Sequence, residues 1–227
     1  MYEITRRSLL KFIATLPVPL CFSRLVSAEE PKNYPQGFAD TISTLKAANE
    51  SEMNSYEHYR GYCERAVRDN YKGIAYLFSA FAASEYIHAE NYRKVLSVLG
   101  VEFTSSEICT KVDDTKNNLR IASKKELTKI KEIYPDFLNK LKEEAHAQAV
   151  ESCMWSWKSH KQHREMIEQI YRYSGLFFPK VAKKIESTEL DFHVCRNCGS
   201  TLCKKPELPC EICNHPVSNY TKIQKPV

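Results

Sequence analysis

Two Cys-x-x-Cys pairs near the C-terminus constrain this chain more than any other feature. Cys195 and Cys198 are followed, after eleven intervening residues, by Cys210 and Cys213. Each pair fits a tight turn whose backbone amides point at the sulfurs, and two such turns facing each other place four thiolates at the corners of a tetrahedron. Gly199, directly after the second cysteine, permits the backbone angles that such a turn needs. Two disulfides are the competing reading. Clustering argues against it, because five of the nine cysteines (Cys195, Cys198, Cys203, Cys210 and Cys213) lie in the last 33 residues while Cys21, Cys63, Cys109 and Cys153 are scattered singly. Four thiolates suit iron and zinc alike, so the ligands leave the metal open. Cys203 reads as a bystander thiol.

Upstream of that segment the chain has room for one medium domain. Glycine is scarce, with 6 in 227 residues, and Ala, Glu, Lys and Leu are common, a balance that favours helices. The pattern predicts helices over residues 40–69, 72–99 (with Gly100 at the stop position), 115–144 (with a kink at Pro135) and 145–173. Residues 101–114 connect the second and third, residues 175–189 are a transition, and helical periodicity is lost from Phe192 onward. Four long helices of similar length predict a four-helix bundle over residues 37–175, with the cysteine-rich segment a separate small domain over 190–222.

The N-terminus reads as an address. Thr5-Arg6-Arg7-Ser8-Leu9-Leu10-Lys11 resembles a twin-arginine export motif, followed by an apolar run from Phe12 to Phe22 and a small-residue cleavage site at Val26-Ser27-Ala28. The expectation is a leader over residues 1–28 and a periplasmic destination, with an amphipathic first helix as the competing reading. The run is too short, and with Pro17 and Pro19 too interrupted, for a transmembrane helix. A lipid anchor through Cys21 is disfavoured by Leu20 before it. Net charge is +5, of which +3 falls in those first 28 residues. The remaining bias is too weak to indicate nucleic acid, and no basic stripe with interleaved aromatics appears.

Within the helices, the informative residues are polar groups on apolar faces. At helical spacing, Glu85 shares a face with Phe78, Phe81, Ala82, Ala89 and Tyr92, and Glu85-x-x-His88 points two groups the same way. Glu52 lies with Leu45, Ala48, Tyr56 and Tyr59; Glu126 lies with Leu119, Ala122, Ile130 and Ile133. His160 and His163, one turn apart, lie near Cys153, Trp157, Met166, Ile167 and Ile170. A buried carboxylate is costly unless it is paired or binds a metal, so three converging ones call for a cation. Glu64, Glu144 and Glu168 read as solvated.

These residues resemble the rubrerythrin family: a ferritin-like four-helix bundle with a carboxylate-bridged di-iron site, then a rubredoxin-like domain holding iron on four cysteines. The likeness spans about residues 45–220 and is strongest in Cys195-Arg-Asn-Cys-Gly199 and Pro209-Cys-Glu-Ile-Cys-Asn-His-Pro216. Glu52 with Tyr59 seven residues on, and Glu85-x-x-His88 at a gap of 33, match the family's first two helices. Anchoring on Tyr134-Pro135 places the third helix's two glutamates on Glu126 and Lys129, and the fourth helix's Glu-x-x-His on His160-x-x-His163. Lys129 and His160 therefore depart from the pattern. Glu143-x-x-His146 lies seventeen residues too early and reads as surface. The resemblance implies a non-haem peroxidase in which Glu52, Glu85, His88 and Glu126 hold metal and act in catalysis, Tyr59 and Tyr134 hydrogen-bond the carboxylates, and the four-cysteine iron relays electrons from an unknown donor to peroxide. It also implies a homodimer with the tail of one subunit near the bundle of the other. The departures keep two other readings open. One is an electron carrier with one bundle metal or none; the other is a zinc-tailed structural protein. Lys129 could neutralise Glu126 or Glu85 in place of a cation.

Overall fold

The computed structural model describes residues 37–171, 178, 180, 185 and 189–227. The expected leader at 1–28 lies outside the described residues, as does most of the 175–189 transition. Helix α1 spans Ala39–Arg68, α2 Lys72–Val98, α3 Thr115–Thr128, α4 Tyr134–Glu144 and α5 Ala147–Tyr171, with a π-helical segment, Lys129–Ile133, joining α3 to α4. The third bundle helix is thus α3, the π segment and α4 in series. Three short strands, β1 (His193–Cys195), β2 (Thr201–Leu202) and β3 (Tyr220–Lys222), form an antiparallel sheet in the order β2-β1-β3. The chain is a four-helix, ferritin-like bundle followed by a rubredoxin-like four-cysteine domain. Among the described residues no helix is long and apolar enough to cross a membrane.

The helix ends follow from local chemistry. Gly100 adopts φ +73 after α2, and the Val101 amide donates back to the Leu96 carbonyl at 2.9 Å, a left-handed helix stop. Asp114 caps α3 by accepting from the Asn117 amide at 2.9 Å. Glu144, expected to be merely solvated, instead accepts from the Asp40 and Thr41 amides at 3.0 and 2.7 Å. Its carboxylate supplies the otherwise missing N-terminal partner of α1, where negative charge is favourable.

The kink expected at Pro135 is the π segment just before it. The Tyr134 amide donates to the Lys129 carbonyl, five residues back. The Ile130 carbonyl loses its usual donor, Tyr134, to that bond, and Pro135 has no N–H to replace it. The Trp157 indole on α5 takes that carbonyl at 2.9 Å. The wider turn also changes the inward face. In an α-helix residue 134 would sit about 140° around the axis from residue 129; the π turn brings it back into line. Glu126, Lys129 and Tyr134 are all buried as a result, whereas Ile130 and Ile133, expected on the inner face, are only half-buried.

Two apolar clusters flank the middle of the bundle. One gathers Tyr59, Tyr62, Phe78, Phe81, Leu119 and Ile167; the other gathers Leu45, Tyr92, Leu96, Tyr134, Phe137 and Cys153. The polar residues predicted for the interior lie in the layer between them. The tail is seated on the same chain's bundle. Phe192 and Val194 extend the first cluster, and the Tyr76 hydroxyl accepts from the Phe192 amide (3.1 Å) and donates to the Ile223 carbonyl (2.7 Å).

Candidate metal centres

The tail brings Cys195, Cys198, Cys210 and Cys213 together with their sulfurs all within 4.8 Å of one another. Cys195 and Cys213 Sγ are 3.7 Å apart, and Cys198 and Cys210 Sγ are 3.5 Å apart. A tetrahedral metal with bonds of about 2.3 Å sets its sulfurs roughly 3.8 Å apart, so the residues fit a four-thiolate ion. The two knuckles are built alike. The first cysteine's carbonyl accepts from the residue four on (Gly199 to Cys195, 2.9 Å; Asn214 to Cys210, 2.7 Å), and its amide donates five residues on, to Ser200 and to His215. The residue after each second cysteine is left-handed, Gly199 at φ +78 and Asn214 at φ +57. Asn214 is one of the few non-glycine residues that tolerate that region. Cys203, the expected bystander, packs half-buried against the bundle core.

In the bundle, Glu52 (α1), Glu85 and His88 (α2), Glu126 (α3), and His160 and His163 (α5) converge, each fully buried, with Lys129 only 4% exposed among them. They form two overlapping groups with ligand atoms within 4.8 Å: Glu52, Glu85, His88 and His160, and Glu85, Glu126, His160 and His163. Lys129 sits in the first. Its Nζ donates to Glu52 Oε2 at 2.9 Å and to Glu85 Oε2 at 3.3 Å, and lies 3.5 Å from His160 Nε2. The carboxylates it pairs with directly are Glu52 and Glu85; Glu126 instead faces His160, whose Nδ1 lies 2.7 Å from Oε2. Tyr59 donates to Glu126 Oε1, and Tyr134 to Glu52 Oε1 at 2.7 Å, as expected. Glu143 is exposed, and the His146 ring stacks edge-on against Phe38, far from these groups in role.

Burial alone would raise the Glu52 and Glu126 carboxyls. The Lys129 and His160 charges offset this at Glu52, and those of His160 and His163 at Glu126, so both are held well below the usual carboxylate range. Burial would likewise depress Lys129, but Glu52 and Glu85 hold it above its ordinary value. His160 is depressed by burial and by Lys129 yet raised more strongly by Glu85, Glu126 and Glu52, ending pushed up to about 10. Within this cluster, Glu85 Oε1 and His163 Nδ1 make no well-aligned hydrogen bond, although they face each other 3.2 Å apart. Such an orphaned, facing pair is what a cation between them would satisfy.

Sequence reasoning missed the groups that join the two centres. The Gly199 carbonyl, next to the thiolate ligand Cys198, accepts from Ser84 (2.6 Å), Ser159 (2.9 Å) and Thr201 (3.1 Å) hydroxyls. Thr201 Oγ1 also lies 3.2 Å from His163 Nε2, and a Cβ added at Gly199 would lie 2.3 Å from His88 Nε2. A signal was present: Ser84 and Ser159 stand four residues before His88 and His163, on the same helix faces.

A family model described as Rubrerythrin matches residues 43–171. The chain is 27% identical to Rubrerythrin-2 of Clostridium acetobutylicum (77% of this chain, 92% of that protein). It is 25% identical to Nigerythrin of Nitratidesulfovibrio vulgaris (80% and 85%). Its fold matches a nigerythrin structure in the fully reduced, all-ferrous state, with a TM-score of 0.68 at 22% identity over 97% of this chain and 100% of that one.

Proposed function

The chain belongs to the rubrerythrin family, a family of non-haem iron proteins, and from that premise we propose that it reduces hydrogen peroxide in the bundle with electrons passed through its four-cysteine iron. The overall change is one peroxide, two protons and two electrons to two waters. Iron held at the two centres would supply the one-electron chemistry through its ferrous–ferric couple.

The observation that carries this reading is the seating of Gly199, next to the thiolate ligand Cys198, on the bundle. The Gly199 carbonyl is held by Ser84 and Ser159, and Gly199 touches the outer edge of His88. An electron leaving the thiolates would have a buried path to the bundle through the Gly199 backbone, the Ser84 hydroxyl and the His88 imidazole. The family resemblance implied that a partner's tail would approach the bundle; here the chain's own tail does so. Protons are held at Lys129 Nζ, Tyr59 Oη and Tyr134 Oη, each bonded to a site carboxylate. Burial, then the neighbouring Glu126 and Glu52 charges, keep the two phenols protonated. A cleft of about 510 Å³ lined by Ser51, Asn54, Ser55, Lys125 and Lys129 offers a small oxidant an approach.

The test is to reduce the iron-loaded protein, add peroxide without air, and follow the return of the thiolate–iron colour. Recolouring should be fast in the native chain and fall to the background rate in Glu85→Ala. Equal rates would sink the proposal and leave the electron-carrier reading, which Lys129 and His160 favour. A homodimer, and export of the folded, loaded chain to the periplasm on the strength of Arg6-Arg7, complete the proposal. Size-exclusion chromatography and cell fractionation check them.

A further inference from the structure

We infer that the bundle takes one divalent transition-metal ion, held by Glu85, Glu126, His160 and His163, and that the Lys129 ammonium stands where a second ion would otherwise sit. The inference deepens the reading that the bundle holds iron and rests on it.

The two overlapping groups are not equivalent. In the group of Glu52, Glu85, His88 and His160, Lys129 Nζ already donates to Glu52 and Glu85 at 2.9 and 3.3 Å, ordinary ammonium contacts, and stands 3.5 Å from His160 Nε2. A metal about 2.1 Å from those same atoms would lie almost upon the ammonium and carry the same sign of charge. The pair does not fit, and the residues present disagree with a two-metal bundle.

In the other group the facing atoms are not the ones that Lys129 contacts, and an ion bound there would displace the protons that otherwise charge His160 and His163. Its ligand atoms are spaced 3.2 Å (His163 Nδ1 to Glu85 Oε1), 3.7 Å (His160 Nδ1 to Glu85 Oε1), 2.7 Å (His160 Nδ1 to Glu126 Oε2) and 3.8 Å (His163 Nδ1 to Glu126 Oε1). Ligands about 2.1 Å from one ion lie roughly 3.0 to 3.5 Å apart, within that spread. The imidazoles are turned to suit. Thr201 has one hydroxyl hydrogen, directed at the Gly199 carbonyl, so it accepts from His163 Nε2–H and leaves the Nδ1 lone pair aimed at Glu85 Oε1. His160 Nε2 lies 3.2 Å from Glu52 Oε2, and donating there leaves its Nδ1 free for the ion. Both histidines thus have a hydrogen-bond partner on the far nitrogen, the arrangement that fixes metal-binding imidazoles.

Charge points the same way. Glu52, Glu85 and Glu126 carry three negative charges; one ammonium and one divalent ion balance them with neutral imidazoles. A second divalent ion would leave the buried layer with an uncompensated double positive charge. His88, a metal ligand by family resemblance, becomes a group that touches Glu52, Glu85 and the tail but not the ion.

The full-length chain is loaded with ferrous iron and desalted. Total iron is measured, and the thiolate-bound share is determined from its visible absorption. The expected result is about two irons per chain, one of them in the bundle. Three irons overturn the inference and leave the proposed function standing. One iron, all of it in the tail, overturns both. After oxidation the bundle ion should give the paramagnetic resonance of an isolated ferric ion; a spin-coupled pair, silent in that measurement, is the contrary result. Lys129→Glu should raise the bundle from one iron to two, as should Lys129→Met if the first variant does not fold. A bundle still limited to one iron in a folded Lys129 variant refutes the role given to the ammonium. Finally, His163→Ala should lose the bundle iron while His88→Gln keeps it, and the reverse pattern overturns the assignment of ligands.

Discussion

The two candidate centres are made from opposite materials. The tail's four ligands fall within nineteen residues, on two knuckles that share one hydrogen-bond scheme. The bundle's groups run from Glu52 to His163 and come from four separate helices. A local site has no spare parts: replace one thiolate and the tetrahedron is open. A dispersed site is judged by its sum. What a buried layer must hold constant is charge and hydrogen bonding, so a lysine can enter on one helix and be absorbed by carboxylates on the others.

The sharpest way to break this contrast is to strip the metals with a chelator. Thiolate-bound structural metal is worth on the order of 10 kcal/mol, and the tail's three short strands have little core of their own. Proteolysis should therefore cut residues 190–222 while the helical circular dichroism persists. A tail that stays resistant would mean it holds together as the bundle does. Next in size is Glu85→Ala. Removing the carboxylate shared by Lys129, His160 and His163 should cost about 3–5 kcal/mol, read as a lowered melting temperature of the helices with the thiolate colour unchanged.

Gly199→Ala probes the join. Gly199 is left-handed, and its new methyl would strike His88. The expected loss is about 1–3 kcal/mol, seen in urea titrations, with slower recolouring by peroxide and normal tail absorption. Smallest is Trp157→Phe, which abandons the Ile130 carbonyl. It should cost about 1 kcal/mol and touch the bundle alone.

The same contrast decides what could be read in advance. The four cysteines were legible because their spacing is their geometry. Glu52, Glu85, His88 and Glu126 were legible because an α-helix repeats its face at a known interval. Lys129 and Tyr134 were visible through family resemblance and not through periodicity, since the π segment rotates that face and periodicity pointed to Ile130 and Ile133 instead. Lys129's partners were half right: Glu85, but Glu52 in place of Glu126, because which carboxylate a long side chain reaches depends on how four helices pack. Ser84, Ser159 and Thr201 were missed for a similar reason. The spacing of Ser84 and Ser159 from His88 and His163 put them on the inner faces, but nothing in it says that they meet the Gly199 carbonyl, 115 and 40 residues away. Glu144 was misjudged because its partners, the amides of α1, are themselves a product of the fold.

The seating of Gly199 also ties the fates of the two centres. His163 finds the acceptor for its outer nitrogen in Thr201 of the tail, so its ring is steadied when the tail is folded, and the tail is folded when its thiolates hold metal. Any factor by which an ion in the tail tightens binding in the bundle must be returned in equal measure by an ion in the bundle to the tail. If both centres take iron, titration of the native chain should fill them along one curve, steeper than either would give alone.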